Sequence, residues 1–157
     1  MNLSQTLLNQ PQASAPGQAG LRALAVGLRV FCALPFATGM ADLLIGVKVL
    51  TLSGAVIPPP VDVDPILNSE IKFWGAIWFG FGLILWYASR DLRQHAPLFR
   101  LLMGILVLSG LGRALSAVQF GSGSALMFSF MVFELTVPVA LLVWHRWLLR
   151  QNSRPLT

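Results

Sequence analysis

Two long apolar segments constrain the fold of this chain more than any other feature. They cover residues 98–120 and 125–149 and are separated only by the short turn GSGS at 121–124. As an α-helix, the first would extend about 33 Å, enough to cross the hydrocarbon core of a bilayer. Each segment carries a full charge, Arg113 in the first and Glu134 in the second. Because a charge in a membrane span is costly without a partner, these two residues are the strongest indication of a functional site.

The composition also favours lipid over water as the solvent of this chain. Of its 157 residues, 55% are hydrophobic and only 11% are charged, which is unlike an ordinary soluble domain. The net charge of +5 comes largely from arginines that flank the apolar segments, where they orient a membrane protein. Since no continuous basic face with interleaved aromatic residues occurs, nucleic acid is not an expected partner. The lone cysteine, Cys32, excludes an internal disulfide and a zinc site built from cysteines.

The hydrophobic pattern predicts an all-α fold, a four-helix transmembrane bundle. Residues 1–20 are polar and uncharged, with several Gly and Pro, which predicts a disordered tail. A cleaved signal peptide is the competing interpretation, but the apolar run continues to about residue 50 and Arg29 interrupts it. The predicted membrane domain covers residues 21–150, with helices at about 21–50, 65–89, 98–120 and 125–149, and a short tail follows at 151–157.

The first two predicted helices have faces suited to close contact with another helix. In helical steps from Asp42, one side of the first helix carries small and polar residues, namely Pro35, Thr38, Gly39 and Gly46. In the second helix, Gly75 and Gly82 share a face. Small residues let membrane helices approach closely, so we expect both faces to point into the bundle.

The connection between these two helices contains its own signals. Three consecutive prolines at 58–60 predict a stiff, extended segment. Asp64 followed by Pro65 predicts a helix N-cap with proline at the first helical position.

The distribution of Lys and Arg predicts the orientation in the membrane. Arg22, Arg29, the basic loop at 90–100 and the C-terminal end lie on one side of a four-span arrangement, whereas the 51–69 loop is acidic. The positive-inside rule then places both termini in the cytoplasm. We therefore expect a multi-pass protein of the bacterial inner (cytoplasmic) membrane.

The helix lengths place the charged residues at similar depths. Arg113 lies about 6 residues, Asp42 about 8 and Glu134 about 10 from the outer ends of their helices, hence roughly 9–15 Å below the outer surface. Glu70 lies near the entry of the second helix. We expect Asp42, Glu70, Arg113 and Glu134 to form one polar cluster in the outer half of the bundle. Pro138, four residues after Glu134, leaves the carbonyl of Glu134 without its usual N–H donor.

Two interpretations of this cluster remain open. In the simpler one, Arg113 and Glu134 form a structural pair that joins the third helix to the fourth. In the other, the cluster lines an outward pocket where Arg113 binds an anionic or carbonyl-bearing head group and Glu134 or Asp42 exchanges a proton. Tryptophans recur along the second helix and could line a ligand groove, although packing is their default role. The residues predicted to bind a ligand are Asp42, Glu70, Trp74, Trp78, Arg113 and Glu134.

The remaining candidates for chemistry have simpler explanations. His95 and His145 both lie at cytoplasmic ends, so they cannot supply two axial ligands to a haem in the middle of the bundle. Met127 and Met131 are one turn apart, which packing explains better than copper does. The sequence has no phosphate-binding loop, paired-histidine motif or nucleophile elbow. It predicts no metal, and it assigns no catalytic residue, cofactor or enzymatic reaction.

A resemblance to a known family rests on four short segments. They are NSE at 68–70, FWGAIWFGFG at 73–82, LGR at 111–113, and FE at 133–134 followed by Pro138. Over residues 25–148 the chain resembles a family of small bacterial four-helix membrane proteins catalogued as a domain of unknown function. The resemblance implies that Glu70, Arg113 and Glu134 belong to the family's pattern, but it implies no activity, substrate or cofactor. More distantly, the outline is similar to DoxX-type bundles, which suggests redox or small-molecule roles by analogy of fold alone.

Two functions from different classes remain open at this point. The first is a binder of a lipid, quinone or other amphiphile, whose polar end meets the cluster while its tail lies along the Trp-rich second helix. The second is a structural or accessory subunit that packs against a membrane-protein partner, or against another copy, through its glycine faces. A transporter is less favoured, because four helices without an internal repeat provide no alternating-access machinery.

Overall fold

The computed structural model describes residues 16–152, and within that range the chain is helical with no β-strand. Its elements are α1 (Pro16–Phe31), α2 (Ala33–Ile45), a 3₁₀ helix (Gly46–Ser53), α3 (Pro59–Asp62), α4 (Pro65–Ala88), α5 (Ala96–Phe120) and α6 (Ala125–Asn152). The helical segments Gly17–Ser53, Pro65–Ala88, Ala96–Phe120 and Ala125–Gln151 are long and apolar enough to cross a membrane. The predicted all-α bundle of four membrane helices is therefore confirmed.

The boundaries differ from the sequence expectation at both ends of the chain. Helix α1 begins at Pro16, inside the stretch 1–20 that was expected to form a tail, and the rest of that stretch lies outside the described residues. Proline suits the first helical position because its missing N–H has no intrahelical partner there. Helix α6 continues to Asn152, beyond the expected end at 149.

The first membrane segment is broken near its middle. The helix is interrupted at Cys32, between α1 and α2. Pro35 explains the position, because its ring displaces the carbonyl of Phe31 and it has no N–H to bond to that oxygen. The two parts then pack against different partners, since α1 lies mainly against α6 and α2 lies against α4.

The proline-rich connection is more compact than expected. Pro58 is extended, with φ −65° and ψ 148°, but the next residues form the single turn α3 (Pro59–Asp62). Prolines at the first positions of a helix fit this turn, which explains why the segment is not a long extended strut. The expected N-cap is present, because the Asp64 carboxylate accepts a hydrogen bond from the Leu67 N–H at 2.9 Å.

Helices α2 and α4 are in close contact through glycines. A Cβ added at Gly75 would lie 2.5 Å from the Cβ of Asp42 and 2.9 Å from the carbonyl oxygen of Gly39. A Cβ added at Gly82 would meet the ring of Phe36 at 2.9 Å. The glycine faces of the two helices therefore point at each other, as their small side chains indicate.

The hydrophobic core lies in one half of the bundle. We call the end that carries residues 89–95, where α1 begins and α6 ends, the termini end, and the end that carries residues 121–124 the turn end. The large buried cluster is assembled from α1, the second half of α4, the first half of α5 and the end of α6, with Leu28, Leu85, Phe99, Met103 and Leu148 among its members. Towards the turn end, the extensive helix contacts are α2 with α4 and α5 with α6. That half consists of two packed helix pairs.

Candidate functional site

Arg113 and Glu134 form an ion pair between α5 and α6 in the turn half of the bundle. The Arg113 Nε donates to both carboxylate oxygens of Glu134, at 3.2 Å to Oε1 and 3.0 Å to Oε2. The side chain of Glu134 is only 10% exposed, whereas that of Arg113 is 39% exposed. The pair therefore has a covered acidic side and an open basic side.

Two small residues of α5 shape the acidic side of this pair. The Ser109 hydroxyl donates to Glu134 Oε2 at 3.2 Å, which adds a second donor to the carboxylate. Gly110 brings the helices together, because a Cβ there would lie 3.1 Å from the Cβ of Glu134 and 2.9 Å from the Leu135 side chain. The small and polar face that Ser109 and Gly110 give to α5 thus holds the carboxylate against this helix.

The guanidinium of Arg113 faces apolar atoms of α6. Its Nη1 lies 3.4 Å from the Met127 sulfur, and its Cζ lies 5.7 Å from the centroid of the Phe130 ring. Among the described residues, none accepts a hydrogen bond from Nη2. A small pocket of about 170 Å³ opens beside Arg113, with walls formed by Ser116, the 121–123 turn and Met131. This arrangement leaves guanidinium donors available to an acceptor oxygen of a ligand.

The expected four-residue cluster does not form. Asp42 lies half-buried over Gly75 in the α2–α4 contact, and Glu70 is exposed on α4. Within residues 16–152, neither carboxylate makes an ion pair or hydrogen bond with Arg113 or with Glu134. Equal depth does not imply contact here, because Asp42 belongs to one helix pair of the turn half and the Arg113 ion pair belongs to the other.

Of the three tryptophans of α4, the two that were predicted to bind a ligand, Trp74 and Trp78, have different surroundings. The indole N–H of Trp78 donates to the Thr38 hydroxyl at 2.8 Å, and its ring stacks on Phe81 with centroids 5.1 Å apart. Trp78 therefore fastens α4 to α2. Trp74 is 59% exposed and stacks edge-on against Phe73, so it forms no wall around the Arg113 ion pair.

An apolar groove lies beside α5 and α6, farther from the turn end than the Arg113 ion pair. It has a volume of about 250 Å³ and runs between α1, α5 and α6. Its walls include Gly27 and Phe31 of α1, Leu106 of α5, and Phe133 and Trp144 of α6, and no lining residue is charged. Phe31 and Phe133 stack with ring centroids 5.6 Å apart. No single sequence segment indicates this groove, because it arises from the break in the first span, which directs α1 against α6.

A second set of polar contacts lies at the termini end. His145 is fully buried, and its Nε2 lies 2.8 Å from the carbonyl oxygen of Leu92. Arg29 donates from Nε to the Ser89 hydroxyl at 3.3 Å. These bonds tie α1 and α6 to the 89–95 connection. Within the described part of the chain, no group of three His, Cys, Asp or Glu side chains could hold a metal ion.

Comparison with known proteins yields one match. The model of a protein family described as Domain of unknown function (DUF4345) matches residues 23–145, which include the Arg113 ion pair, the groove and all four membrane segments in large part. No curated protein and no solved structure matches this chain.

Proposed function

Because this chain belongs to the DUF4345 family, a domain of unknown function, we propose its function from its own geometry: an integral membrane protein that binds a lipid, a quinone or another amphiphile. The observation that carries the proposal is the half-exposed guanidinium of Arg113 beside a small pocket. Glu134 and Ser109 hold the other side of the pair in place. Polar groups retained in membrane spans commonly mark binding sites.

The available donors favour a head group that offers oxygen acceptors. Arg113 has guanidinium N–H groups from which no described residue accepts a hydrogen bond. The Ser109 hydroxyl already donates its hydrogen bond to Glu134, so it is not a free donor for the ligand. Because Glu134 neutralises the arginine, the site has no net charge and does not require a strongly anionic ligand. A carbonyl or a carboxylate oxygen would meet this requirement, and Arg113 would be its hydrogen-bond donor.

In the orientation that we propose, this site lies towards the outside of the bacterial inner membrane. The basic residues of the chain concentrate at the termini end, where Arg22, Arg90, Arg93, Arg146 and Arg150 are exposed. The positive-inside rule therefore supports cytoplasmic termini, with the Arg113 ion pair in the periplasmic half of the bilayer. Asp42 and Glu70 would act separately from this pair.

An accessory subunit is the alternative function. The glycine faces at Gly75 and Gly82 are occupied by contacts inside the molecule, so they are not available to a partner. Gly104 and Gly112 of α5, by contrast, have nothing within 4 Å of an added Cβ and lie on the outer side of that helix. They would let a membrane helix of a partner, or of a second copy, approach closely.

Native mass spectrometry of the protein extracted in mild detergent tests the proposal. We compare the wild type with Arg113→Met and with the double variant Arg113→Met/Glu134→Leu, which leaves no unpaired carboxylate. Arg100→Met is the matched control, because Arg100 is an exposed arginine of the same helix near the termini end. We expect a bound small molecule in the wild type and the control that is lost from both Arg113 variants.

Two results would contradict amphiphile binding. The first is retention of the same small molecule by a folded double variant. The second is a stoichiometric protein partner with no small molecule, which would favour the accessory subunit and leave the pair as a structural contact. Circular dichroism and size-exclusion chromatography establish that each variant is folded before it is compared.

A further inference from the structure

We infer that the groove between α1, α5 and α6 holds the hydrocarbon tail of the amphiphile as one single chain, and that Gly27 sets the bulk of the chain that fits. The inference rests on the proposed function for the ligand's head, but it assigns a separate surface to the tail. We assign the tail to this groove and not to the tryptophans of α4. Trp78 is hydrogen-bonded to α2, and Trp74 lies outside the Arg113 site.

The chemistry of the groove matches a hydrocarbon chain. Its lining consists of aliphatic and aromatic side chains with two small residues on α1, Ala23 and Gly27. Both small residues are exposed, and a Cβ added at Gly27 would have no neighbour within 4 Å. The groove therefore opens sideways from a membrane-spanning segment, where the surrounding solvent is lipid.

The size of the groove favours one chain over other occupants. Its volume is about 250 Å³. One turn of an α-helix with a diameter of 10 Å occupies about 400 Å³ before its neighbours are counted. A segment of one hydrocarbon chain fits within this volume, whereas a polypeptide helix would have to lie largely outside the groove.

The groove ends close to the proposed head site. Phe133 lines the groove and is followed directly by Glu134, the partner of Arg113. Phe130 lies three positions before Phe133, hence one turn nearer the turn end on the same side of α6. The guanidinium of Arg113 lies 5.7 Å from the Phe130 ring. Along the axis of α6, the groove at Phe133 is therefore about one helical turn, or about 5 Å, from the level of the Phe130 ring beside the guanidinium, so a head group that leaves the groove at this end can reach the ion pair.

A larger side chain at Gly27 is expected to block the groove. A leucine there has room for its Cβ and improves the helix propensity of α1, so the fold is expected to persist. Its side chain would project into the groove and compete with the ligand chain. Gly80→Leu is the matched control, because Gly80 also has nothing within 4 Å of an added Cβ but lies on α4, which contributes no residue to the groove.

Photo-crosslinking tests this inference. The probe is a 16-carbon fatty acid with a diazirine in the middle of its chain, added to full-length protein in vesicles of phosphatidylethanolamine and phosphatidylglycerol. We expect labelled peptides to concentrate on α1 and α6 in the wild type and in Gly80→Leu. In Gly27→Leu the labelling of these two helices should fall about tenfold, because steric exclusion is an efficient means of rejecting a ligand.

The outcomes separate this inference from the proposed function. Labelling spread evenly over all four membrane helices, or unchanged in Gly27→Leu, would overturn the assignment of the groove. If Arg113→Met still abolishes retention of the native ligand in that case, the head site stands and only the tail site is wrong. Loss of labelling in Gly27→Leu with normal ligand retention in Arg113→Met would support the groove and contradict the head site.

Discussion

The ion pair between Arg113 and Glu134 allows a prediction about the stability of variants at these two residues. Removal of Arg113 alone leaves the nearly buried carboxylate of Glu134 without its charged partner, whereas replacement of both residues by apolar side chains leaves no orphan. We therefore expect the double variant Arg113→Met/Glu134→Leu to be more stable than Arg113→Met. In a double-mutant cycle by thermal unfolding in detergent, the coupling energy should be roughly 1–3 kcal/mol. Additive effects of the two substitutions would show that the contact contributes nothing.

The carboxylate of Asp91, in the connection outside the membrane segments, predicts how stability changes at acidic pH. Backbone N–H groups of Gln94 and Arg93 donate to its carboxylate and lower the pKa of Asp91 below its ordinary value. A lowered folded pKa means that the stabilisation is complete above the unfolded value of about 3.9 and is lost as the pH falls through the folded pKa.

We expect the amide proton resonances of Arg93 and Gln94 to shift in this acidic range in NMR spectra of the wild type in micelles. In Asp91→Asn, which keeps an acceptor oxygen but does not titrate, the shift should be absent. A titration of both amides that survives in Asp91→Asn would assign it to another group.

The sequence could predict the paired charges of the site, but not which other charged residues lie near them. Arg113 and Glu134 were identifiable because each is a charge far from the basic end of its apolar segment, where a charge needs a partner. Asp42 satisfied the same depth argument but lies in the other helix pair, since depth along a helix says nothing about which neighbour it faces. Arg29 fits the pattern of an orienting charge, but its bond to Ser89 depends on a chain reversal at 89–95 that no local pattern specifies.

At the scale of elements, the α2–α4 contact predicts opposite effects for two glycines of one helix. In Gly75→Ala the new methyl group would lie 2.5 Å from the Cβ of Asp42, so the helices must separate. We expect a loss of about 1–3 kcal/mol in the free energy of unfolding. Gly80→Ala has open space around the new methyl group and should be neutral or stabilising by about 0.5–1 kcal/mol, because alanine is the better helix former.

Chemical unfolding of both variants in the same detergent measures this difference. Equal stability of the two would show that α2 and α4 are not in close contact at Gly75. The comparison is internal to α4, so it does not depend on the detergent chosen.

The membrane helices themselves were predictable because each needs only its own apolar run and end signals. Asp64 and Pro65 mark the start of α4 in the sequence and in the structure alike. The break at Cys32 was less accessible, because Pro35 reveals that a helix is disturbed but not that the two parts turn to different neighbours. The groove follows from that choice of neighbours, so it could not be inferred from any single segment.

For the whole molecule, the orientation proposed from the basic residues predicts a labelling pattern. Cys32 is buried and is replaced by alanine to give a background without thiols. Single cysteines are then introduced at Ser122 in the turn and at Gln94 in the opposite connection, both of which are exposed. In intact bacteria, an impermeant thiol reagent should label Ser122→Cys at once and Gln94→Cys only after permeabilisation. The reverse pattern would place the termini outside.

The one-sided core has a consequence for how the bilayer itself acts on this protein. In the termini half, protein packing fixes the spacing of the helices, but in the turn half the two helix pairs share no comparable core. Their separation there is governed in part by the lateral pressure of the surrounding acyl chains. Lipids that change this pressure should alter amide exchange in the turn half first, because the least packed segments open at the lowest free energy. The membrane would then be a ligand of the molecule as well as its solvent.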